Sequence, residues 1–241
     1  TPPLSALICA ELKIKSDIHR LDVVGMGCHA ALNGLQSLHN WCNANEDRYG
    51  MMINVETCSA AYVLDREPDM TQFIVNSLFG DGCSGFVCTT KKRSNSFVMI
   101  QDFESHLIKD SLDSMYYEFN AVHNKFEFRL DSEVPYKIGK EVRKPLNELL
   151  GRNHLKISDV DCWIVHTGGK LVLYSIAYNL ELSIEKLKYS LKSLENVGNV
   201  SSASLGFVIE EVKNENILSS GDIVVFMTMG PGATVECCLS R

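Results

Sequence analysis

The sequence predicts an α/β chain with buried sheets, and three observations predict it. Segments with the apolar spacing of helices alternate with short strand-like runs along the chain. Two of those runs, DCWIVH (161–166) and GDIVVFMTM (221–229), are dominated by apolar residues, as strands in a covered sheet are. No low-complexity linker and no repeat of solenoid period interrupts the alternation. At 241 residues the chain can bury a substantial core, as one large domain or two small ones.

The elements follow in order. VVGMGCHAALNGL (23–35) reads as a short strand, a glycine turn and a helix, with Cys28, Leu32, Leu35, Leu38 and Cys42 on one helix face. MMINVE (51–56) is strand-like and runs into the small-residue stretch TCSAAYV. Thr71 to Phe79 has helical spacing, and GFVCTT (85–90) and SFVMIQD (96–102) read as strands around the basic turn KKRSNS. From Phe103 to Tyr136 the periodicity is weak and supports no assignment. Residues 137–150 read as a helix kinked at Pro145. After the strand DCWIVH, GKLVLYSIAYNL is a mostly apolar helix, and Ser183 caps SIEKLKYSLKSL, where Ile184, Leu187, Leu191 and Leu194 share a face. SSASLGFVIEEV reads as a helix rich in small residues, and GDIVVFMTM and ATVECCL as closing strands.

Composition excludes several classes. With a net charge of −7 the chain lacks the basic footprint of a nucleic-acid binder. No run approaches the ~18 apolar residues of a membrane span. The sequence opens at Thr1 without an initiator Met and without the basic, apolar and small-residue regions of a signal peptide, so a cytoplasmic protein is expected. Nine cysteines, scattered and without a CxxC pair or a His at zinc-like spacing, read as free thiols in a reducing compartment, with no metal.

The chemistry-bearing candidates are few. Gly80-x-Gly82-x-x-Gly85 matches a dinucleotide fingerprint by letter, but a helix precedes it and a strand follows, the reverse of what phosphate binding needs; it reads as a helix-to-strand turn. Cys28 is either a buried packing thiol or a nucleophile. Strand, glycine turn, Cys and helix is an arrangement that favours thiolate and draws the pKa toward roughly 3.5–7.5. His166 closes an apolar strand before Thr167-Gly168-Gly169, a placement shared by structural and site histidines. Asn199, in GNVSSAS, is either a helix cap or a site residue. Gly230-Pro231-Gly232 follows a strand and is at least a tight turn. Together, Cys, His and Asn in such settings make thiol-based acyl transfer a plausible chemistry.

GMGCHAALNGL, SLFGDGCSGFV, WIVHTGGK, GNVSSAS and MGPGATVE occur in this order, and on them the chain resembles the type III polyketide synthases, the chalcone-synthase-like enzymes of the thiolase superfamily. ETCSAAYV, VNSLFGDG, HTGGK and MTMGPG are similar to the bacterial members that form 3,5-dihydroxyphenylacetyl-CoA. The resemblance covers essentially the whole chain. It implies a thiolase-like fold of αβαβα layers, with 1–104 as the remainder of a first half carrying the cysteine and 105–241 as a second half carrying His and Asn. It makes Cys28 the nucleophile, His166 and Asn199 the catalytic partners, Phe79 the gate between CoA tunnel and cavity, and Gly230, Pro231 and Gly232 a cavity wall. Phe128, in the looser FEFRL, falls near a second gate. The implied reaction is iterative decarboxylative condensation of malonyl-CoA by a homodimer, with CoA thioesters as substrates and no cofactor. Two rivals stand beside it: a ketoacyl-ACP synthase III-like enzyme that condenses once, and a non-catalytic thiolase-fold subunit that pairs with a partner chain. Family members carry a substantial portion ahead of the nucleophile, including basic residues that meet CoA phosphates. The chain therefore reads as the later part of a synthase, expected to be poorly soluble or inactive when expressed alone.

Overall fold

The computed structural model describes residues 2–63, 69–91, 93 and 96–241. Helix α1 (Leu4–Glu11) has no buried residue. A 3-10 turn over Gly27–His29 leads into α2 (Ala30–Ala44), and then come β1 (Tyr49–Thr57), a second 3-10 turn (Cys58–Ala61), α3 (Met70–Leu78) and β2 (Asp81–Thr89). Next are β3 (Ile100–Leu107), the hairpin β4 (Met115–Asn120) and β5 (Lys125–Leu130), and the paired helices α4 (Val134–Glu141) and α5 (Arg143–Arg152). The remainder is β6 (Cys162–Val165), α6 (Lys170–Leu180), α7 (Lys188–Val197), α8 (Ser204–Glu215), β7 (Val224–Gly230) and β8 (Thr234–Ser240).

The centre is a four-stranded sheet in the order β3-β8-β7-β6, with only β6 and β7 parallel. Every residue of β6 and β7 is buried, which explains their unbroken apolar reading. Alternate residues face opposite layers. Trp163, Val165, Val225, Met227, Cys237 and Leu239 belong to the core shared with α4, α5 and α6, whereas Cys162, Ile164, Val224, Phe226 and Cys238 pack with α2 and α8. Beyond α2 and α8 lies the antiparallel pair β1–β2. The described residues thus stack as helix, sheet, helix, sheet, four of the layers of a thiolase-like fold. The far face of β1–β2 exposes Met51, Ile53, Val55 and Val87. β6 is an edge strand, and the buried hydroxyl of Ser190 on α7 accepts its outward Val165 N–H at 3.2 Å.

Several expectations shift against this frame. Val23 and Val24 form no strand; Val24 is 84% exposed, and no described strand lies alongside to complete a ladder. The third strand runs over 100–107 rather than 96–102, because pairing with β8 fixes it: Leu107 opposes Thr234 and Ile100 opposes Ser240, with an irregularity between Ile100 and Asp102. The proposed division at 104/105 therefore runs through β3. The turn KKRSNS lies partly outside the described residues. The stretch without readable periodicity holds the aromatic hairpin β4–β5, whose buried Glu127 pairs with His123 and Arg129. The helix expected over 137–150 is two helices meeting at Val142, and Pro145 sits in the first turn of α5, where its missing N–H costs little. Gly80 is the helix-to-strand turn, and Gly82 and Gly85 lie within β2. All nine cysteines are free.

Leu173 and Tyr178 on α6 test the core assignment. Leu173→Ala should lower the unfolding free energy by about 2–5 kcal/mol. Tyr178→Ala, at a residue 83% exposed, should stay within about 0.5 kcal/mol. Urea titration followed by circular dichroism reads both, and equal losses would mean that α6 faces the wrong way.

Candidate active site

Cys28 is buried in the middle of the 3-10 turn that opens α2. The Gly-Pro-Gly loop at the end of β7 lies directly on that turn. A Cβ at Gly230 would stand 3.2 Å from the Cys28 nitrogen and 2.9 Å from that of His29, and would run into His29 Nδ1. Gly27, at φ +59°, faces the same loop, and a Cβ there would meet Pro231 Cδ at 2.6 Å. These positions accept no side chain without pushing loop and turn apart.

The other candidates arrive through a closed ring of contacts. Ser201 hydrogen-bonds the Cys28 thiol. The Ser201 N–H donates to Asn199 Oδ1 at 2.9 Å. One residue before Asn199, the Gly198 carbonyl accepts from the Thr167 hydroxyl at 3.2 Å, and Thr167 follows His166. His166 ends β6 with its N–H on Met227 O at 2.9 Å, and its charge interacts with that of His29, the neighbour of Cys28. Cys28, His166 and Asn199 thus lie around one buried locus although they are far apart in sequence. Phe79 is pinned at its rim: the Asn199 N–H donates to Leu78 O at 2.8 Å, and the Gly80 N–H donates back to Asn199 O at 3.0 Å. The Phe128 ring meets Phe79 edge-on with centroids 5.5 Å apart, which places both expected gates together.

Burial sets the electrostatics. It pushes Cys28 up to about 11; the Ser201 hydrogen bond acts against it and the Glu56 carboxylate with it. It also pushes His166 down to about 3, with His29 adding to the effect, and His29 down to about 4. The resting pair is therefore neutral thiol and neutral imidazole, not the thiolate expected from the helix terminus. The physical reason is that the sulfur is enclosed beside a carboxylate, so desolvation outweighs the helix dipole. Glu56 was not singled out by sequence reasoning. It is one residue of strand β1, and only the fold brings its carboxylate to Ser202, whose N–H donates at 3.1 Å and whose hydroxyl donates as well. Ser201, at φ +47°, was missed for the same reason.

The layered fold and this buried Cys, His and Asn locus define the class first: a thiolase-like protein. The profile of the chalcone and stilbene synthases, C-terminal domain, matches residues 114–241, and that of the FAE1/type III polyketide synthase-like proteins matches residues 1–125. Among curated relatives, 3,5-dihydroxyphenylacetyl-CoA synthase from Amycolatopsis balhimycina is 39% identical over 239 residues, covering 99% of this chain and 64% of the relative. Among solved structures, 1,3,6,8-tetrahydroxynaphthalene synthase from Streptomyces coelicolor A3(2) superposes with a TM-score of 0.91 at 27% identity, over 99% of this chain and 67% of that one. PKS-I from the brown alga Ectocarpus siliculosus superposes with a TM-score of 0.90 at 27% identity, over 100% and 65%. The chain belongs to the chalcone and stilbene synthase family, the type III polyketide synthases. It spans about 64% of the length of the curated relatives it matches. Among the described residues no helix is long and apolar enough to cross a membrane.

The protonation state gives a prediction with a definite sign. Because the Cys28 pKa is raised, the reactive thiolate is scarce at neutral pH and grows with pH toward about 11. Iodoacetamide labelling of the Cys28 peptide should therefore rise about tenfold per pH unit between roughly pH 7 and 10. A rate already level at mildly acidic pH would show a preformed thiolate instead.

Proposed function

We propose that the protein acts in a type III polyketide synthase that condenses malonyl units repeatedly with loss of carbon dioxide, giving an aromatic product of the 3,5-dihydroxyphenylacetyl-CoA kind. The observation that carries this reading is the convergence of Cys28, His166 and Asn199 under the Gly-Pro-Gly loop and beside Phe79. The identity to relatives named for that product supports the product class. The reading brings with it malonyl-CoA as substrate, no cofactor, and a cytoplasmic homodimer.

The chemistry follows from the neutral resting pair. Cys28 attacks the carbonyl of an acyl-CoA while His166 Nε2 takes the thiol proton, and coenzyme A departs as its thiolate as the acyl group passes to sulfur, leaving the proton on His166. In a bound malonyl thioester the bond to the carboxylate then breaks. Carbon dioxide leaves, and the electron pair remains as an enolate that must be held where its charge develops. Protonated His166 offers Nε2–H. Asn199 offers its amide N–H, because its Oδ1 is engaged by Ser201 N–H and this orients the NH2 end away from that bond. The enolate carbon attacks the Cys28 thioester, the sulfur leaves, and the longer chain returns to Cys28 for another round. Burial of Cys28, His166 and Asn199 keeps water from the thioester and strengthens both donors.

Incubating the purified full-length gene product with malonyl-CoA, and following carbon dioxide release and product mass, tests the reading. Asn199→Ala should lower decarboxylation by about 10²–10³-fold while Cys28 is still acylated by a reactive thioester. Unchanged decarboxylation would leave Asn199 as a cap, and a single condensation would point to the ketoacyl-synthase chemistry.

A further inference from the structure

The face of the central sheet that meets α2 carries a line of polar side chains through an otherwise apolar interior. The His166 N–H on Met227 O continues the parallel β6–β7 ladder one residue past the Val165–Met227 pair, which sets His166 beside Thr228. Thr228 opposes Glu236 on β8, and Glu236 opposes Ser105 on β3. Residues paired in this way share a face. Val165 and Met227 belong to the core with α4, α5 and α6, so by alternation their successors, His166 and Thr228, point toward α2. Glu236 does so too, because Asn33 of α2 donates to its Oε1 at 3.0 Å. One row, His166–Thr228–Glu236–Ser105, thus crosses all four strands beneath the helix that follows Cys28.

The hydrogen bonds of this row are made at one end only. Glu236 Oε1 accepts from Ser105 at 2.8 Å as well as from Asn33. At the other end, His166 Nδ1 and the Thr228 hydroxyl lie on neighbouring residues, both buried, and neither atom has a partner among the described residues. An unpaired buried hydroxyl is costly, and a valine at 228 would fill the same space without it. His166 Nδ1 has the complementary need. If Nε2 is to take the Cys28 proton, the neutral ring carries its own proton on Nδ1, and that N–H requires an acceptor. A threonine hydroxyl accepts one bond and donates another. The next group along is the Glu236 carboxyl. Burial pushes its pKa up and the Glu104 carboxylate adds to this, while the bonds from Ser105 and Asn33 favour the charged form.

On the functional reading above, we propose that Thr228 and Glu236 are positioning residues for His166: in the substrate-bound enzyme the His166 Nδ1–H donates to the Thr228 hydroxyl, and that hydroxyl donates to Glu236. The relay holds the tautomer whose Nε2 is free to take the Cys28 proton, and it sets a buried carboxylate behind the imidazolium that results. No covalent bond forms along it and no proton crosses Thr228. The proton taken from Cys28 stays on Nε2.

The full-length gene product with malonyl-CoA tests this, with Cys28 acylation and carbon dioxide release read together. Thr228→Val keeps the shape and removes the hydroxyl; it should slow both steps about tenfold at unchanged KM, and Thr228→Ser should recover most of the loss. Glu236→Gln should slow both steps to a similar extent. The double variant should be no slower than the slower single one, because a relay broken once is already broken. Full rates in Thr228→Val, or losses that multiply in the double variant, would overturn the assignment. Should Thr228→Val fail to fold, Thr228→Ala set against Thr228→Ser makes the same comparison. A second readout needs no substrate: in protein labelled with 15N-histidine, NMR should place the neutral His166 proton on Nδ1 and show it moving toward Nε2 in Thr228→Val. A tautomer indifferent to that change would also count against the relay. Failure of the functional reading shows separately, as an unmutated protein that takes no acyl group from malonyl-CoA.

Discussion

The site depends on the close approach of two backbones, those of the Gly230-Pro231-Gly232 loop and the Gly27–His29 turn. Because no side chain at 230 or 27 intervenes, the loop rests on the nitrogens of Cys28 and His29. That contact joins the end of β7 to the start of α2. β7 is also hydrogen-bonded to His166 and paired with β6, so one strand fixes both the cysteine and the histidine. Asn199 is placed by a different device, the short parallel bridge with Phe79. Rigid strands and glycine contacts thus locate groups that a loop alone would leave loose.

Burial is the second governing fact, and its effect on the chemistry is opposite to what the helix terminus suggests. An enclosed sulfur near Glu56 stays protonated, and an enclosed imidazole beside His29 stays neutral. On the proposed function, a neutral pair suits a site that meets an anionic malonyl group without a standing thiolate to repel it. Proton transfer is then coupled to attack on a bound thioester. A buried imidazolium, once formed, is a strong hydrogen-bond donor and readily gives its proton up.

The fold was legible where local pattern and tertiary surroundings agree. The all-buried strands β6 and β7, helices α2, α6 and α8, and the turn at Gly80 follow from apolar runs, spacing and punctuation. The paired strand expected at Val23 and Val24 was not found, since a strand exists only with a neighbour. The aromatic hairpin was overlooked because its two alternating runs are only six residues each and stand in a largely polar stretch, although Lys125 to Leu130 does alternate polar and apolar residues. In the site, Cys28, His166 and Asn199 stood out by residue type at element ends. Glu56 and Ser201 did not, because each gains its place only when β1 and the turn before α8 come together. The low thiol pKa was misread for the same reason: sequence shows the helix terminus but not the enclosure.

The central claim is that one cysteine of nine carries the acyl chain, by virtue of where the Gly-Pro-Gly loop and His166 place it. Mass spectrometry of peptides after brief exposure of the protein to malonyl-CoA and an acid quench tests it most directly. The account predicts acyl additions on the peptide containing Cys28, growing in steps of one ketide unit, and none elsewhere. Adducts on Cys58 or on the exposed Cys83, with Cys28 unmodified, would contradict it.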